Sequence, residues 1–156
     1  MAQAVDAKQN AQQVTAHQIN IQVAKQLAHL VKSTLGPYGM DKEMVDAAGS
    51  VLMTNDGATI LKGTKLNHPT ATIITEVART QEENCYDGTT SSVVVTGELM
   101  DKASDLLDMK IHPTRIAKGY MIANGKAQEL LEDIAIDVSD DLLLSVAKTA
   151  MTGKSA

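Results

Sequence analysis

The sequence contains no tryptophan and no phenylalanine, and its only aromatic side chains are three tyrosines among 156 residues. A core must therefore be built from Leu, Ile, Val, Ala and the eight methionines. Such a set of side chains favours packed helices over an aromatic-rich β-sandwich. Hydrophobic residues make up 44% and charged residues 21% of the chain. These values are close to the globular average, which excludes wholesale disorder and a collagen-like chain.

Cysteine, long apolar runs and excess positive charge are also missing. The single cysteine, Cys85, excludes an intramolecular disulfide and a zinc site built from cysteines, so we expect a reducing compartment. Apolar runs are short and the N-terminus lacks a signal-peptide pattern, which predicts a soluble, cytoplasmic protein with no membrane partner. Fourteen basic residues against 19 acidic ones give a net charge of −5, which argues against a nucleic-acid partner.

The first third of the chain combines a helical pattern with a hairpin pattern. Residues 1–13 are rich in Gln, Ala and Asn and lack an apolar period, so they are interpreted as a mobile tail. Apolar residues at helical spacing then predict a helix over 14–35, which ends at Gly36-Pro37. Two short apolar pieces at 43–46 and 50–54 flank a small-residue turn and predict a β-hairpin.

The rest of the sequence is predicted to be helical. Helices are expected to begin at Asp56-Gly57, after His68-Pro69 and after His112-Pro113, with a last one over 142–150. Both histidines are interpreted as structural. Another helix follows the interruption at 87–90, and its apolar spacing consists of Val95, Leu99, Ala103 and Leu106. The predicted fold class is mainly α, a helical bundle with one small β-hairpin, on a length that suits a single domain.

Three glycine-bearing loops, at 33–39, 54–59 and 87–92, lie at predicted helix boundaries. A helix N-terminus attracts an anion, and glycine lets the backbone approach it closely. The third loop fits this chemistry best, because it adds hydroxyl groups and the carboxylate of Asp87, which suits a hard divalent cation. From the local sequence alone, an N-cap role is nevertheless favoured over metal binding for Asp87, and a cap or hairpin exit for Asp56.

Five motifs, in their order and spacing, resemble the group II chaperonins, the family that includes the archaeal thermosome and the eukaryotic cytosolic chaperonin. They are STLGPYGMDK at 33–42, TNDGATIL at 54–61, HPT at 68–70, DGTTSSVVVTGEL at 87–99 and HPT at 112–114. The resemblance implies the N-terminal part of an equatorial, ATP-binding domain over 14–143 and the start of an intermediate domain over 144–156. It also implies a ring assembly with other chaperonin subunits, which folds non-native polypeptides.

The same resemblance implies ATP and Mg²⁺ as cofactors and gives roles to individual residues. Asp87 would bind the magnesium ion, and Asp56 would be catalytic by positioning the attacking water. The remaining implied residues would contact the nucleotide; they are Thr34, Leu35, Gly36, Pro37, Gly57, Gly88, Thr89, Thr90, Ser91 and Lys154.

Two departures from the family pattern bear on activity. Tyr86 stands immediately before Asp87, where the family usually has glycine, and a positive φ there would strain a tyrosine. The chain is also several times shorter than a chaperonin subunit and lacks the family's second catalytic aspartate, so we expect it alone to show little or no ATP hydrolysis. The favoured hypothesis is part of an ATP-dependent chaperonin subunit. The alternative is a truncated, non-hydrolysing, chaperonin-like structural or interaction module.

Overall fold

A computed structural model describes residues 2–64 and 66–152, with side chains from residue 16 onward. Its elements, in chain order, are α1 Ala2–Lys32, β1 Lys42–Val45, β2 Val51–Thr54, α2 Gly57–Gly63, α3 Pro69–Cys85, α4 Thr89–Asp108, α5 Pro113–Ile134 and α6 Asp140–Met151. The prediction of a mainly α fold with one small hairpin is confirmed. The described residues form two compact units, one up to Asp101 and one over 102–152, while the predicted boundary at residue 143 stays a prediction.

Short polar side chains and ring nitrogens mark where the helices begin. His68 and His112 each precede a proline at the helix start, and the Nδ1 atom of each accepts the backbone N–H two residues ahead. Ser139 caps α6 through its hydroxyl, which accepts the Leu142 N–H at 3.3 Å. Because the first turn of a helix has no intrahelical acceptors for its N–H groups, these side chains supply them. The structural interpretation of both histidines is confirmed.

Helix α1 differs from its prediction at both ends. It is already helical at Ala2, within the segment interpreted as a tail; the mobility of that segment stays a prediction, and Met1 lies outside the described residues. It ends at Lys32, three residues earlier than expected, because Thr34 turns back on Val31 through both its N–H and its hydroxyl. The left-handed exit at Gly36 is confirmed, with φ of 85°.

The hairpin lies where the sequence placed it. Strands β1 and β2 pair antiparallel, with Lys42 opposite Thr54 and Val45 opposite Val51. At the turn, Asp46 Oδ1 accepts the N–H groups of Ala48 and Ser50 at 2.8 and 2.9 Å. Such a side-chain-to-backbone turn fixes the register of a short hairpin.

One aliphatic cluster forms the core of the first unit. Its buried members come from α1, α2, α3 and α4; they are Ala24, Leu27, Ala28, Val31, Ala58, Ile60, Leu61, Ala71, Ile74, Ala78 and Val93. The α1 members are spaced by three or four residues, so one stripe of that helix faces the core. Met44 of the hairpin packs against the cluster. The composition-based prediction of a core without aromatic rings is confirmed for this unit.

Helices α1 and α4 approach each other most closely at Gly97. A Cβ atom at Gly97 would lie 2.1 Å from the Cβ of Ala28, so no larger residue fits without moving a helix. Ion pairs lie along the same contact, between Lys25 and Asp101 and between Lys32 and Glu98. The helix predicted from the apolar spacing is confirmed, and the side of it that packs on α1 in this unit carries Gly97.

The buried face of α4 in the first unit carries Val93 and Gly97, whereas Val95 and Leu99 are exposed. This face is buried because of side-chain size: α1 packs against the side of α4 that carries Gly97, which has no side chain. Periodicity identifies apolar side chains, but it gives glycine no weight as a packing residue.

Helix α3 ends in a left-handed residue that is not glycine. Tyr86 has φ of 56° and ψ of 8°, and its N–H donates to the Glu82 carbonyl at 3.0 Å. Its side chain is 84% exposed, so the backbone turn and not side-chain packing holds this conformation. The position before Asp87 thus has the positive φ that strains a tyrosine.

The second unit contains the end of α4 together with α5 and α6. Ile116 is buried and Tyr120 is half-buried, but the apolar stripe of α5 continues into exposed positions at Leu130 and Ile134. Leu143 of α6 is exposed as well. Across the portion of the chain that the structure covers, no helix is long and apolar enough to cross a bilayer.

Replacing Gly97 by alanine should destabilise the protein, because the new Cβ would overlap Ala28 in a packed interface. The expected loss of unfolding free energy is about 1–3 kcal/mol, the usual range for overpacking. Urea unfolding followed by circular dichroism measures it. Gly125→Ala is the matched control, since a Cβ at Gly125 meets no atom within 4 Å, and it should gain up to about 1 kcal/mol from helix propensity. A Gly97→Ala protein as stable as the parent would contradict the packing described.

Replacing Tyr86 by glycine should stabilise the protein. The expected net gain is about 0.5–1 kcal/mol, because releasing a left-handed side chain outweighs the added entropy of glycine in the unfolded chain. Tyr86→Ala retains the Cβ atom and should show no gain. The same unfolding measurement serves for both variants, and an equal gain for alanine and glycine would mean that the tyrosine ring, not the backbone angle, is the cause.

Candidate functional site

The first turn of α4 presents backbone N–H groups next to a glycine with a positive φ. Gly88 has φ of 78°, and the first bond of the helix runs from the Ser92 N–H to the Gly88 carbonyl at 2.9 Å. The N–H groups of Thr89, Thr90 and Ser91 therefore precede the intrahelical ladder. A helix start of this kind attracts an anion, as the sequence predicted for this loop.

The chain enters α4 through Asp87, which is held by two hydrogen bonds. Its Oδ1 accepts the Gly88 N–H at 2.8 Å, and its backbone carbonyl accepts Nε2 of Gln81 at 2.9 Å. Gly88, not Asp87, directly precedes the helix, so Asp87 lies one residue outside the usual N-cap position. The carboxylate is exposed at the entrance to the helix.

The second loop is organised by Asp56 at the start of α2. Asp56 Oδ2 accepts both the backbone N–H and the hydroxyl of Thr59, at 2.8 and 2.6 Å. The local interpretation of Asp56 as a helix cap is confirmed. This side chain is partly buried, between the end of β2 and the first turn of the helix.

Gly57 brings the second and third loops together. A Cβ atom at Gly57 would lie 2.7 Å from Thr90 Oγ1 and 3.2 Å from Thr90 Cα. The start of α2 thus packs directly on the first turn of α4, and only glycine permits this approach. Gly57 and Thr90 were both assigned to one site on the basis of sequence, and the structure places them in contact.

The first loop is a tight turn after α1. Thr34 is 7% exposed, and a Cβ atom at Gly39 would lie 2.2 Å from the Thr34 carbonyl oxygen. The Met40 N–H closes the turn by donating to the Ser33 carbonyl at 2.9 Å. Leu35 remains 45% exposed at the tip, beside the exposed Gly36.

A single cluster holds all three loops. Val31 lies three residues before Thr34, Ala58 directly follows Gly57, and Val93 follows Thr90 by three residues. These three aliphatic side chains are all buried in the same core cluster. The loops therefore extend from neighbouring parts of one packed region of the first unit.

The donor set of the site suits phosphate oxygens better than a bare metal ion. Among the side chains described, those of residues 16–64 and 66–152, no group of three or more His, Cys, Asp or Glu is placed to hold a metal. A cation here would need ligands from phosphate and water in addition to the Asp87 carboxylate. That donor set is the usual one for Mg²⁺, which retains waters and binds one or two carboxylates plus substrate phosphates.

One residue of the sequence-based assignment cannot be placed, and one residue that contacts the site was missed. Lys154 lies outside the described residues, so its assignment stays a prediction. Gln81, which holds the Asp87 carbonyl, was not anticipated. No sequence rule connects a glutamine inside a helix with a carbonyl six residues later, and only the left-handed turn at Tyr86 brings the two together.

Residues 27–156 match the TCP-1/cpn60 chaperonin family. Thermosome subunit beta of Methanothermobacter thermautotrophicus is 56% identical over 140 residues, covering 89% of this chain and 26% of the relative. Thermosome subunit alpha of Archaeoglobus fulgidus is 53% identical over 142 residues, covering 89% of this chain and 26% of the relative. A thermosome subunit of Pyrococcus abyssi is 51% identical over 144 residues, covering 90% of this chain and 26% of the relative.

The chain spans about a quarter of the length of these relatives. The family match nevertheless includes all three loops beyond residue 27 and every helix after α1. The resemblance to group II chaperonins is thereby confirmed, and the chain belongs to the TCP-1/cpn60 chaperonin family.

Proposed function

We propose that the three loops form the phosphate-binding part of an ATP site in a protein-folding chaperonin subunit. The observation that carries the proposal is the contact of Gly57 with Thr90, which joins two loops that both carry chaperonin motifs. Membership of the chaperonin family supports the role in protein folding, and the helix start at Thr89 supports anion binding.

Within that site the N-terminal turn of α4 binds phosphate oxygens. Thr89, Thr90 and Ser91 offer backbone N–H groups and hydroxyls to them. Gly88, whose own N–H donates to Asp87 Oδ1, contributes a backbone without a side chain that the phosphates can approach closely. In the first loop Thr34, Leu35, Gly36 and Pro37 line the nucleotide, and the exposed Leu35 gives it an apolar surface. Gly57 lies at the junction between the other two loops.

Asp87 would hold Mg²⁺ together with the phosphates. When bound, the ion neutralises charge on the transferring phosphoryl group. The turn bonds at Gly88 and Gln81 fix the backbone that carries this carboxylate. Asp56 orients the attacking water in this proposal while it caps α2 through Oδ2, and Lys154 contacts the terminal phosphate as a compact positive charge.

The complete assembly is proposed to be a ring of subunits in which ATP turnover drives the folding of non-native polypeptides in the cytoplasm. Relatives named as thermosome subunits support the assembly, because a subunit by name works with others of its kind. The present chain supplies part of one subunit's nucleotide site. Tests on the chain alone therefore measure nucleotide binding and not ATP hydrolysis.

Replacing Asp87 by asparagine should remove the magnesium dependence of nucleotide binding. In the unaltered chain we expect Mg²⁺ to increase ATP affinity, measured by calorimetric titration with and without the ion. In Asp87→Asn the two affinities should be equal within about twofold, because the amide retains the shape but not the charge that binds a hard cation.

Asp137→Asn is the matched control, since it removes the same charge at an exposed position between α5 and α6. It should retain the magnesium effect. ATP affinity that rises equally with Mg²⁺ in the parent and in Asp87→Asn would overturn the assignment of Asp87. A parent chain that does not bind ATP at all would overturn the proposed site.

A second candidate function is that of a structural or interaction module. The observation that favours it is the exposed apolar surface of the second unit, where Leu130, Leu131 and Ile134 of α5 are all more than half exposed. Monomeric soluble proteins rarely leave such contiguous apolar surface uncovered. A second copy of the chain offers the same surface, and self-association would bury it without hydrolysis.

If this second function holds, the chain should have a mass above 16.6 kDa that depends on concentration in analytical ultracentrifugation. The double variant Leu130→Lys and Ile134→Lys should shift the mass to the monomer, because buried charges oppose association. Met121→Lys is the control, since Met121 is exposed but lies on another side of α5. A chain that is monomeric at all concentrations would rule out self-association.

A further inference from the structure

Gln81 makes a contact that the phosphate chemistry above does not use. It lies in the next-to-last turn of α3, and its Nε2 donates to the carbonyl of Asp87, six residues ahead, at 2.9 Å. The same nitrogen lies against Gly88, where a Cβ atom would be 3.2 Å away. One side-chain amide thus contacts both residues of the Asp87-Gly88 pair.

The turn that Gln81 closes is bent at two points. Tyr86 and Gly88, on either side of Asp87, have φ of 56° and 78°, so the chain reverses into the left-handed region twice within three residues. One of these residues is a tyrosine, for which that region is unfavourable. Gln81 adds a hydrogen bond to this turn from the preceding helix, at the residue between the two left-handed positions.

Gln81 is itself anchored to the core. Ala78, three residues earlier on α3, is completely buried in the aliphatic cluster. The neighbouring Glu82 pairs with Lys62 of α2 at 3.4 Å, and its carbonyl accepts the Tyr86 N–H. These contacts hold the end of α3 against the core and α2. The Gln81 amide connects this end of the helix to the loop that carries Asp87.

We propose that Gln81 is a positioning residue for Asp87: it fixes the Asp87-Gly88 peptide so that the Asp87 carboxylate faces a ligand bound at the start of α4. The inference rests on the proposed nucleotide site. It adds a residue from α3, which none of the three glycine-bearing loops contains. The purely structural alternative is that Gln81 only terminates α3.

Gln81→Met separates these two roles, because methionine has similar length but no N–H donor. The hydrogen bond from Gln81 to the Asp87 carbonyl is called the tether below. Hydrogen exchange measured by NMR detects its loss without any nucleotide, since the Gly88 N–H is held by Asp87 Oδ1 in the same turn. We expect this amide to exchange about five- to tenfold faster in Gln81→Met, the scale of one lost hydrogen bond. Gln81→Lys restores a donor and should recover most of the protection.

The functional readout is the increase in ATP affinity caused by Mg²⁺. In Gln81→Met this increase should fall about threefold or more, while affinity without Mg²⁺ stays nearly unchanged, since only presentation of the carboxylate is altered. Gln26→Met is the matched control; it makes the same substitution at an exposed position of α1 and should change neither readout.

The outcomes distinguish the inference from the function on which it rests. Unchanged Gly88 exchange in Gln81→Met overturns the tether. Faster exchange with an unchanged magnesium effect overturns the positioning role and leaves Gln81 as a helix terminator. If the parent chain shows no magnesium-dependent binding, the proposed function fails and the positioning role fails with it, while the exchange data still show whether the tether exists.

Discussion

The first unit depends on the close approach of helices that have almost no side chain where they meet. Gly97 against Ala28 sets the distance between α1 and α4, and Gly57 against Thr90 sets that between α2 and the start of α4. Both contacts are sterically limited, so they restrict how the helices can be placed relative to one another there. Burial of short aliphatic side chains then stabilises that placement.

This constraint explains why the loops meet. Each loop either contains a residue of the shared cluster or begins or ends within three positions of one, so fixing the helices fixes the loops as well. The loops contribute the polar atoms of the site, and packing of the core determines where those atoms lie. Thr34 illustrates the division, because it is a buried polar residue whose hydroxyl donates back to the Val31 carbonyl of α1.

Much of this arrangement could be predicted from the sequence. Proline and histidine marked the starts of α3 and α5, and glycine marked the turn after α1, because each residue has a local conformational preference that outweighs tertiary effects. The buried face of α4 and the role of Gln81 could not be predicted. Both depend on contacts between segments distant in sequence or on an unfavourable left-handed residue, and single-residue propensities carry no information on either.

The junction between hairpin and helix is only two residues long. Thr54 ends β2, and its hydroxyl accepts the N–H of Asp56, which in turn caps α2. Met44, on the paired strand, touches Gly63 at the far end of the same helix. The hairpin and α2 are therefore joined at both ends of the helix. A neighbouring molecule that moved the hairpin would also move the Asp56 carboxylate. The position of the sheet is therefore coupled to the geometry of the second loop.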